Sequence, residues 1–324
     1  MVIINSLEQL DIKEKTSVAL GNFDGIHLGH REIMLNAIKV SEEKGYKSLC
    51  FTFSNHPFNF ILRREDSDPD AVKLICTEEE KTELVRSMGF DILVNVPFDE
   101  HIMKMRAHDF FSDIVKDKLN AGHVSVGFNY TYGARAEGKP DKLVKECGEA
   151  GISVSIRDAV TVEGNVVSST LIREMISTGN MEMTAKLLGR PYSFAGTVSH
   201  GKRLGSSMGI PTINIPAPAR QMLPPNGVYF SRIEIGGKVY NSVSNIGVNP
   251  TVNDAQSGAK TIETNIFDFD DDAYGRDVVV YFDHFSRGER KFRDKEELFA
   301  QIARDCENAK AYRTQEAPEK PQNN

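Results

Sequence analysis

An apolar run, Ser17-Val-Ala-Leu-Gly21, passes through Asn22-Phe-Asp-Gly-Ile-His-Leu-Gly-His30 into a segment where Ile33, Met34, Ala37, Ile38 and Ser41 recur at helical spacing. A buried strand that turns through glycines directly into a helix is the opening unit of a parallel α/β sheet and a ready phosphate-binding frame. Gly21, Gly25 and Gly29 allow tight backbone paths beside a ligand, and the helix start offers unpaired N–H groups and the positive end of its dipole. His27 and His30 fall where that helix begins, placed to donate hydrogen bonds to phosphate oxygens as charge builds in a transition state. Taken alone, a His-x-x-His pair is more often surface decoration or a metal half-site than a catalytic pair. A zinc site would need a third ligand, and no Cys or His at close spacing supplies one.

The pattern continues to about Lys186 as short apolar strands alternating with helices. Strands are expected over Ser48 to Phe53, Ile92 to Val96, His123 to Val126 and Ser153 to Ile156, with helices such as Glu78 to Met88 and Asp109 to Leu119 between them. This is the signature of a doubly wound, Rossmann-like parallel sheet, in which ligands bind beyond the carboxyl ends of the strands. The segments emerging there are Asn22 to His30, Ser54 to Pro57 and Gly127 to Gly133.

Around Gly189-Arg-Pro-Tyr192 the character changes to short strands with frequent Gly and Pro. Phe194 to Val198, Thr212 to Ile215, Gly227 to Ile235, Lys238 to Ile246, Lys260 to Phe267 and Val278 to Phe282 predict a small antiparallel β-barrel, with Ile235-Gly-Gly-Lys238 as a hairpin turn. A final helix from about Lys295 to Ala311 puts Leu298, Phe299, Ile302, Ala303 and Cys306 on one face, which should pack on the barrel. The expected division is therefore residues 1–186, residues 187–312, and a frayed tail over 313–324.

Composition removes several classes. The formal charge of −7 over 324 residues argues against a broad basic surface for nucleic acid, so phosphate recognition must be local. No apolar run approaches a membrane span and no signal peptide is evident, which makes the cytoplasm the expected compartment. Cys50, Cys76, Cys147 and Cys306 lack metal or redox spacing and read as small packing residues.

Two further segments carry chemistry. On a strand, Thr212 and Asn214 of Pro211-Thr-Ile-Asn214 share one face while Ile213 and Ile215 take the other. Two neutral oxygens on one face suit a magnesium ion held mainly by nucleotide phosphates, and the glycine-rich stretch Gly196 to Gly209 before them is a candidate flap over those phosphates. That stretch mimics two other motifs. Gly196 to Lys202 has P-loop spacing, but Arg203 stands where the Ser or Thr should be and a strand follows. Gly205-Ser-Ser-Met-Gly209 mimics a nucleophile elbow, but Ile210-Pro211 forbids the helix that an elbow needs. In the first half, Ser168-Ser-Thr-Leu-Ile-Arg173 caps a helix, and Arg173 in its first turn suits a departing pyrophosphate.

The string from Gly21 to His30 resembles the G-x-F-D-G-x-H-x-G-H signature of nucleotidylyltransferases, in the form typical of the bacterial bifunctional riboflavin kinase and FAD synthetase family. Ser168 to Arg173 resembles that family's S-S-T-x-I-R motif, and Gly127 to Gly133 is similar to its G-x-[DN]-F-x-F-G loop, with Tyr130 and Tyr132 where Phe is usual. Ser54-Asn-His-Pro57 matches a D-P-H-P segment only in part. The second half resembles the riboflavin kinase domain in order: G-T-V-x-H-G-x-x-L-G, P-T-I-N, Gly227-Val-Tyr229, Ser244-Asn-Ile-Gly247, Asn249-Pro-Thr251, Glu263-Thr-Asn, Tyr274-Gly275 and Arg287-Gly-Glu-Arg-Lys-Phe292.

The resemblance implies ATP- and magnesium-dependent phosphorylation of riboflavin to FMN, then adenylylation of FMN to FAD with release of pyrophosphate. It implies nucleotide contacts from Gly21, Phe23, Gly29, Asn129, Ser169, Thr170 and Arg173, with Asp24 in the turn or in a magnesium-linked role. In the second half it implies Gly201 and Lys202 in the flap, Thr212 and Asn214 as magnesium ligands, Glu263 as general base, and Arg287 on the flavin side or as a solvated charge. Its partners would be riboflavin, FMN and ATP, with transient flavin delivery to apo-flavoproteins. Two other readings stay open: an adenylyltransferase whose barrel only binds flavin, and a flavin- or nucleotide-sensing protein without turnover.

Overall fold

The computed structural model describes residues 1–63, 71–199, 212–248 and 260–315. The chain divides into two compact units, Met1–Ser169 and Thr170–Asn324, and each carries its own six-stranded sheet.

The first unit contains β1 (Val2–Ile4), β2 (Thr16–Leu20), α1 (Leu28–Lys44), β3 (Lys47–Phe53), α2 (Pro57–Ile61), α3 (Glu78–Ser87), β4 (Ile92–Val96) and α4 (Glu100–Lys104). There follow α5 (Ala107–Asp109), continued as a π-helix over Phe110–Lys118, then β5 (Ala121–Gly127), α6 (Pro140–Glu149), β6 (Ser153–Arg157) and the small hairpin β7 (Thr161–Val162) and β8 (Asn165–Val166). The sheet order is β1-β4-β3-β2-β5-β6, and every pair is parallel.

All five residues of β2 are buried, as a strand covered on both faces requires. Val18 and Leu20 enter a core with Phe51, Val94, Phe110 and Ile114, whereas Ala19 enters the opposite core with Met34, Ala37 and Cys50. Chain order runs outward from β2 through β3 to β4 on one side and through β5 to β6 on the other. The switch point of the sheet therefore lies between β2 and β5, where α1 begins. The edge strand β1 is an addition to the sequence expectation. Its residues are largely exposed, and a three-residue strand carries too little period to be distinguished from a tail.

The second unit starts with α7 (Ser169–Thr178), whose first residue closes the first unit, and α8 (Met181–Leu188). The antiparallel strands are β9 (Tyr192–Thr197), β10 (Thr212–Pro216), β11 (Gly227–Ile235), β12 (Lys238–Val248), β13 (Lys260–Ile266) and β14 (Asp277–Gly288), followed by α9 (Lys295–Gln315). Their order is β10-β13-β12-β11-β14-β9. The sheet curls until its two ends meet: the Ser199 N–H donates to the Asn214 carbonyl at 2.8 Å, and a Cβ on Gly196 would lie 2.6 Å from Ile215 Cγ2. Within the barrel, hydroxyls of Ser242, Ser231, Ser244 and Thr264 link in a chain at 2.8 Å per step, so buried polar strand positions satisfy one another.

Three expectations change. β14 extends to Gly288, well past Phe282, because register shifts beside Tyr229 and Ser231 let the strand bend and continue. α9 runs to Gln315, three residues into the expected tail. Ala303 is exposed while Asp305 and Ala309 are buried, so the barrel-facing side of α9 is rotated from the expected apolar stripe. The rest of the tail, 316–324, lies outside the described residues, as do Gly201, Lys202, the end of the P-loop mimic from residue 200, all of Gly205 to Gly209, and Asn249 to Thr251.

Candidate functional site

In the first unit the turn after β2 is held from three directions. The Thr52 hydroxyl donates to the Asn22 carbonyl at 2.9 Å, the Ile75 N–H donates to Asp24 Oδ1 at 2.9 Å, and the Ser169 hydroxyl donates to the Asp24 carbonyl at 3.2 Å. Asp24 is thus a buried residue whose carboxylate accepts from a neighbouring backbone, the turn role among its two expected ones. Phe23 is fully buried and meets the His30 ring edge-on, centroids 5.3 Å apart. With its side chain enclosed, the Phe23 ring supports His30 from beneath. Gly21 must be glycine for the same reason, since a Cβ there would lie 2.7 Å from the Phe23 ring.

His27 is the N-cap of α1, its Nδ1 accepting from the His30 N–H at 3.2 Å. An Nδ1 that accepts carries no proton, so whenever the His27 ring is neutral its proton sits on Nε2 as a donor. The His27 and His30 rings stack, centroids 3.6 Å apart and 17° between planes. Gly29 leaves room for this fold-back, because a Cβ there would sit 3.2 Å from His27 Cε1. Burial holds the pKa of His30 well below the ordinary histidine value, and the charges of His27 and Lys81 act in the same direction. His30 is therefore neutral at neutral pH and contributes a dipole instead of a cation. Its Nδ1 is buried with no hydrogen-bond partner among the described residues, a state that few buried polar atoms share.

Asn129 is exposed and follows β5 at the switch point, with its Oδ1 3.4 Å from where a Gly127 Cβ would lie. Tyr130 and Tyr132 stack at 5.7 Å, and the Tyr132 hydroxyl donates to Glu146 Oε2 at 3.0 Å, so these two rings anchor the loop that presents Asn129. His56 caps α2 through Nδ1. Thr170 is exposed and Arg173 half-buried in the first turn and a half of α7.

Lys81 escaped notice in the sequence. It is buried, donates to the Phe53 carbonyl at 2.7 Å at the end of β3, and pairs with Glu78 at 3.1 Å. A lysine at an amphipathic helix position gives no sequence signal of burial.

In the second unit, strand pairing assembles the site. Asn214 on β10 lies opposite Glu263 on β13, and Thr212 opposite Asn265. Glu263 in turn lies opposite Asn245 on β12. Directly opposed residues project to the same side of a sheet, so Thr212, Asn214, Glu263, Asn265 and Asn245 share one face, while Ile215, Ile262 and Thr264 are buried on the other. Thr212, Glu263, Asn265 and Asn245 line a cavity of about 640 Å³, within the size range of small-molecule sites. Its opposite wall is α9 with Leu298, Phe299 and Ile302. The apolar residues of this half of the helix roof a cavity, and only its later half, through Cys306, Ala309 and Tyr312, closes on Val228, Phe230, Val243 and Phe267.

Arg287 also lines the cavity. It is no solvated charge: Nε and Nη2 reach the carboxylate of Asp305 at 3.1 and 2.6 Å, and Nη1 donates to the Gly288 carbonyl at 3.1 Å. Asn245 and Asp305 complete the site without having been singled out from the sequence. Asn245 stood within a motif as one residue among four, and Asp305 is an acid on a helix otherwise rich in charge.

Comparison with known proteins matches the two halves separately. The family described as FAD synthetase matches residues 9–171, and riboflavin kinase matches residues 188–313. The bifunctional riboflavin kinase/FMN adenylyltransferase of Bacillus subtilis is 35% identical over 92% of each chain, and the Escherichia coli K12 protein of that name is 31% identical over 93% of this chain and 94% of its own. A crystal structure from Streptococcus pneumoniae described as a macrolide-efflux protein superposes with a TM-score of 0.85 at 30% identity, covering 95% of this chain and 98% of that one. Among the described residues of the present chain, no helix is long and apolar enough to cross a membrane. Two family matches in tandem, and relatives aligned over nine-tenths of their length, establish that the chain belongs to the bifunctional riboflavin kinase/FMN adenylyltransferase family.

Proposed function

We propose that the second unit phosphorylates riboflavin to FMN and that the helix-start histidines of the first serve adenylylation of FMN to FAD, ATP being the co-substrate of both. The observation that carries this reading is the convergence of Glu263, Asn214 and Thr212 on one face beside the cavity, in the half matched by riboflavin kinase.

In the kinase step, Glu263 takes the proton of the ribityl 5′-hydroxyl as its oxygen bonds to the γ-phosphorus and the bond to the β-phosphate oxygen breaks, releasing ADP. The oxygen-only, neutral donor set of Thr212 and Asn214 fits magnesium, which prefers hard ligands and retains phosphate and water as others. When bound there it would neutralise phosphate charge. Leu298, Phe299 and Ile302 offer the apolar wall against which a flavin ring would lie, and they keep water from it.

In the adenylyl step, an FMN phosphate oxygen attacks the α-phosphorus of ATP and pyrophosphate leaves. The nucleophile is already anionic, so no strong base is required. His27 supplies an Nε2 donor of fixed tautomer, His30 a neutral ring whose unpartnered Nδ1 supports a ligand-facing role, and the α1 N-terminus its dipole. Ser169, Thr170 and Arg173 are assigned to the nucleotide, Arg173 to the departing pyrophosphate. Asn129 is assigned to the substrate side of the switch point.

The test is incubation of purified protein with riboflavin, ATP and magnesium, followed by separation of the flavins. FMN and then FAD are expected. FMN alone would leave an active kinase beside an inert first unit, and no product would favour a sensing protein.

A further inference from the structure

Arg287 and Asp305 belong to different walls of the cavity in the second unit. Arg287 is the penultimate residue of β14, opposite Val228 of β11, and Asp305 sits on α9, almost fully buried. Between them run three charge-assisted contacts of 2.6 to 3.2 Å. Asp305 is further held by the Gln301 amide, which donates to its Oδ1 at 2.8 Å, one helical turn earlier. No comparable polar tie joins Leu298, Phe299 and Ile302 to the sheet among the described residues. That stretch of α9 faces open volume, and the hydrophobic closure of the helix on the barrel begins only at Cys306. The ion pair is thus the last fixed point before the helix stands off the sheet.

We propose that Asp305 is a positioning residue of the kinase: acting through Arg287, it clamps α9 to β14 and thereby sets the gap into which the flavin ring enters. The inference rests on the assignment of this cavity to riboflavin. It gives Arg287 a role different from charge recognition of the flavin. A guanidinium already committed through Nε, Nη1 and Nη2 is rigid, and its contribution to binding is the placement of the apolar wall. The clamp should act on formation of the riboflavin complex and leave the chemistry at Glu263 intact, because the pair lies at the helix end of the cavity and the reacting face is built by β10, β12 and β13.

The test compares Asp305→Asn, Asp305→Ala, Arg287→Ala and the double variant Asp305→Ala/Arg287→Ala in the full chain, reading riboflavin Kd from flavin fluorescence and KM and kcat for phosphorylation. Each single alanine variant should raise riboflavin Kd and KM about 10-fold, with kcat at saturating riboflavin and KM for ATP within about 3-fold of the parent. Asp305→Asn, which keeps the shape and one acceptor, should fall between parent and alanine. The double variant should be no worse than the singles, because one clamp is lost once. Fold-changes that multiply in the double variant would overturn the inference by showing independent roles, as would unchanged Kd in variants that melt earlier. A parent protein that binds no riboflavin would instead overturn the assignment of the cavity, a separate failure seen before any variant is made. If the alanine variants do not fold, Asp305→Asn carries the test alone: an unchanged riboflavin Kd there would refute the clamp.

Discussion

Single side chains set the chemistry of both sites through what surrounds them. His30 is stacked on His27, backed by Phe23 and desolvated enough that its pKa lies well below the ordinary histidine value, so it acts as a neutral donor or acceptor. His30→Ala should lower FAD formation from FMN by about 100-fold while riboflavin phosphorylation persists, since one preorganised group is worth that much. NMR of the His30 ring should show no titration between pH 8 and 6.5. Glu263→Gln preserves size but cannot accept a proton. Its kinase turnover should drop far more than its affinity for riboflavin or ATP, with adenylylation in the same preparation as reference. A third histidine lies away from chemistry. His123 bonds Ser153 at 2.8 Å and Ser125 at 3.2 Å, Ser125 donates to Asn36 on α1, and burial pulls the ring's pKa down to about 4. The folded state thus holds His123 neutral where the unfolded chain protonates near 6.5. Its contribution is complete above pH 6.5 and is lost as pH falls toward 4, about 3 kcal/mol across that window. Urea unfolding at pH 7.5 and 4.5 should show a smaller acid loss in His123→Gln than in the parent.

At the scale of elements, the turn after β2 and the late course of β14 decide where the reactive groups stand. The turn works because Asp24, Thr52 and Ser169 tie it to its surroundings, holding the two histidines at the start of α1 beside the switch point. β14 reaches Arg287 only by bending at two irregularities against β11, and it can approach there only because residue 227 is glycine. Gly227 has φ +149°, and a Cβ would lie 2.3 Å from the Arg287 carbonyl and 2.8 Å from the Phe285 ring. Gly227→Ala should therefore cost about 3 kcal/mol or more in urea unfolding. In whatever fraction remains folded it should weaken riboflavin binding by displacing Arg287. Helix α9 shows the reverse relation of pattern to packing. Its apolar stripe is real, but half of it borders a cavity, because the strand residues that line this cavity include Glu263, Asn265, Asn245 and Thr212 beside Val228 and Val243.

For the whole molecule, two sites in two units predict separable activities. Asn214→Ala should abolish riboflavin phosphorylation and spare FMN adenylylation, whereas His30→Ala should spare phosphorylation and cut adenylylation about 100-fold. Mixing the two purified variants with riboflavin and ATP should restore FAD, with FMN passing through solution, and liquid chromatography of the flavins checks it. Failure of the mixture, with each variant active in its own half-reaction, would mean that FMN does not leave the chain between steps. Much of this arrangement was legible beforehand. The parallel sheet, the antiparallel barrel, and the placement of His27, His30, Thr212 and Asn214 all follow from local periodicity and glycine turns, which are properties of consecutive residues. The burial of Phe23, the burial of Lys81, the meeting of Glu263 with Asn245 and Asn214, and the pairing of Arg287 with Asp305 were not legible. Each depends on which strand pairs with which, in what register, and on how far a helix stands from a sheet. Those quantities are set by the summed packing of distant segments, and no stretch of neighbouring residues contains them. The sequence by itself determined the elements and the chemical types at each candidate site, and tertiary structure decided which of those groups line a cavity and which hold the others in place.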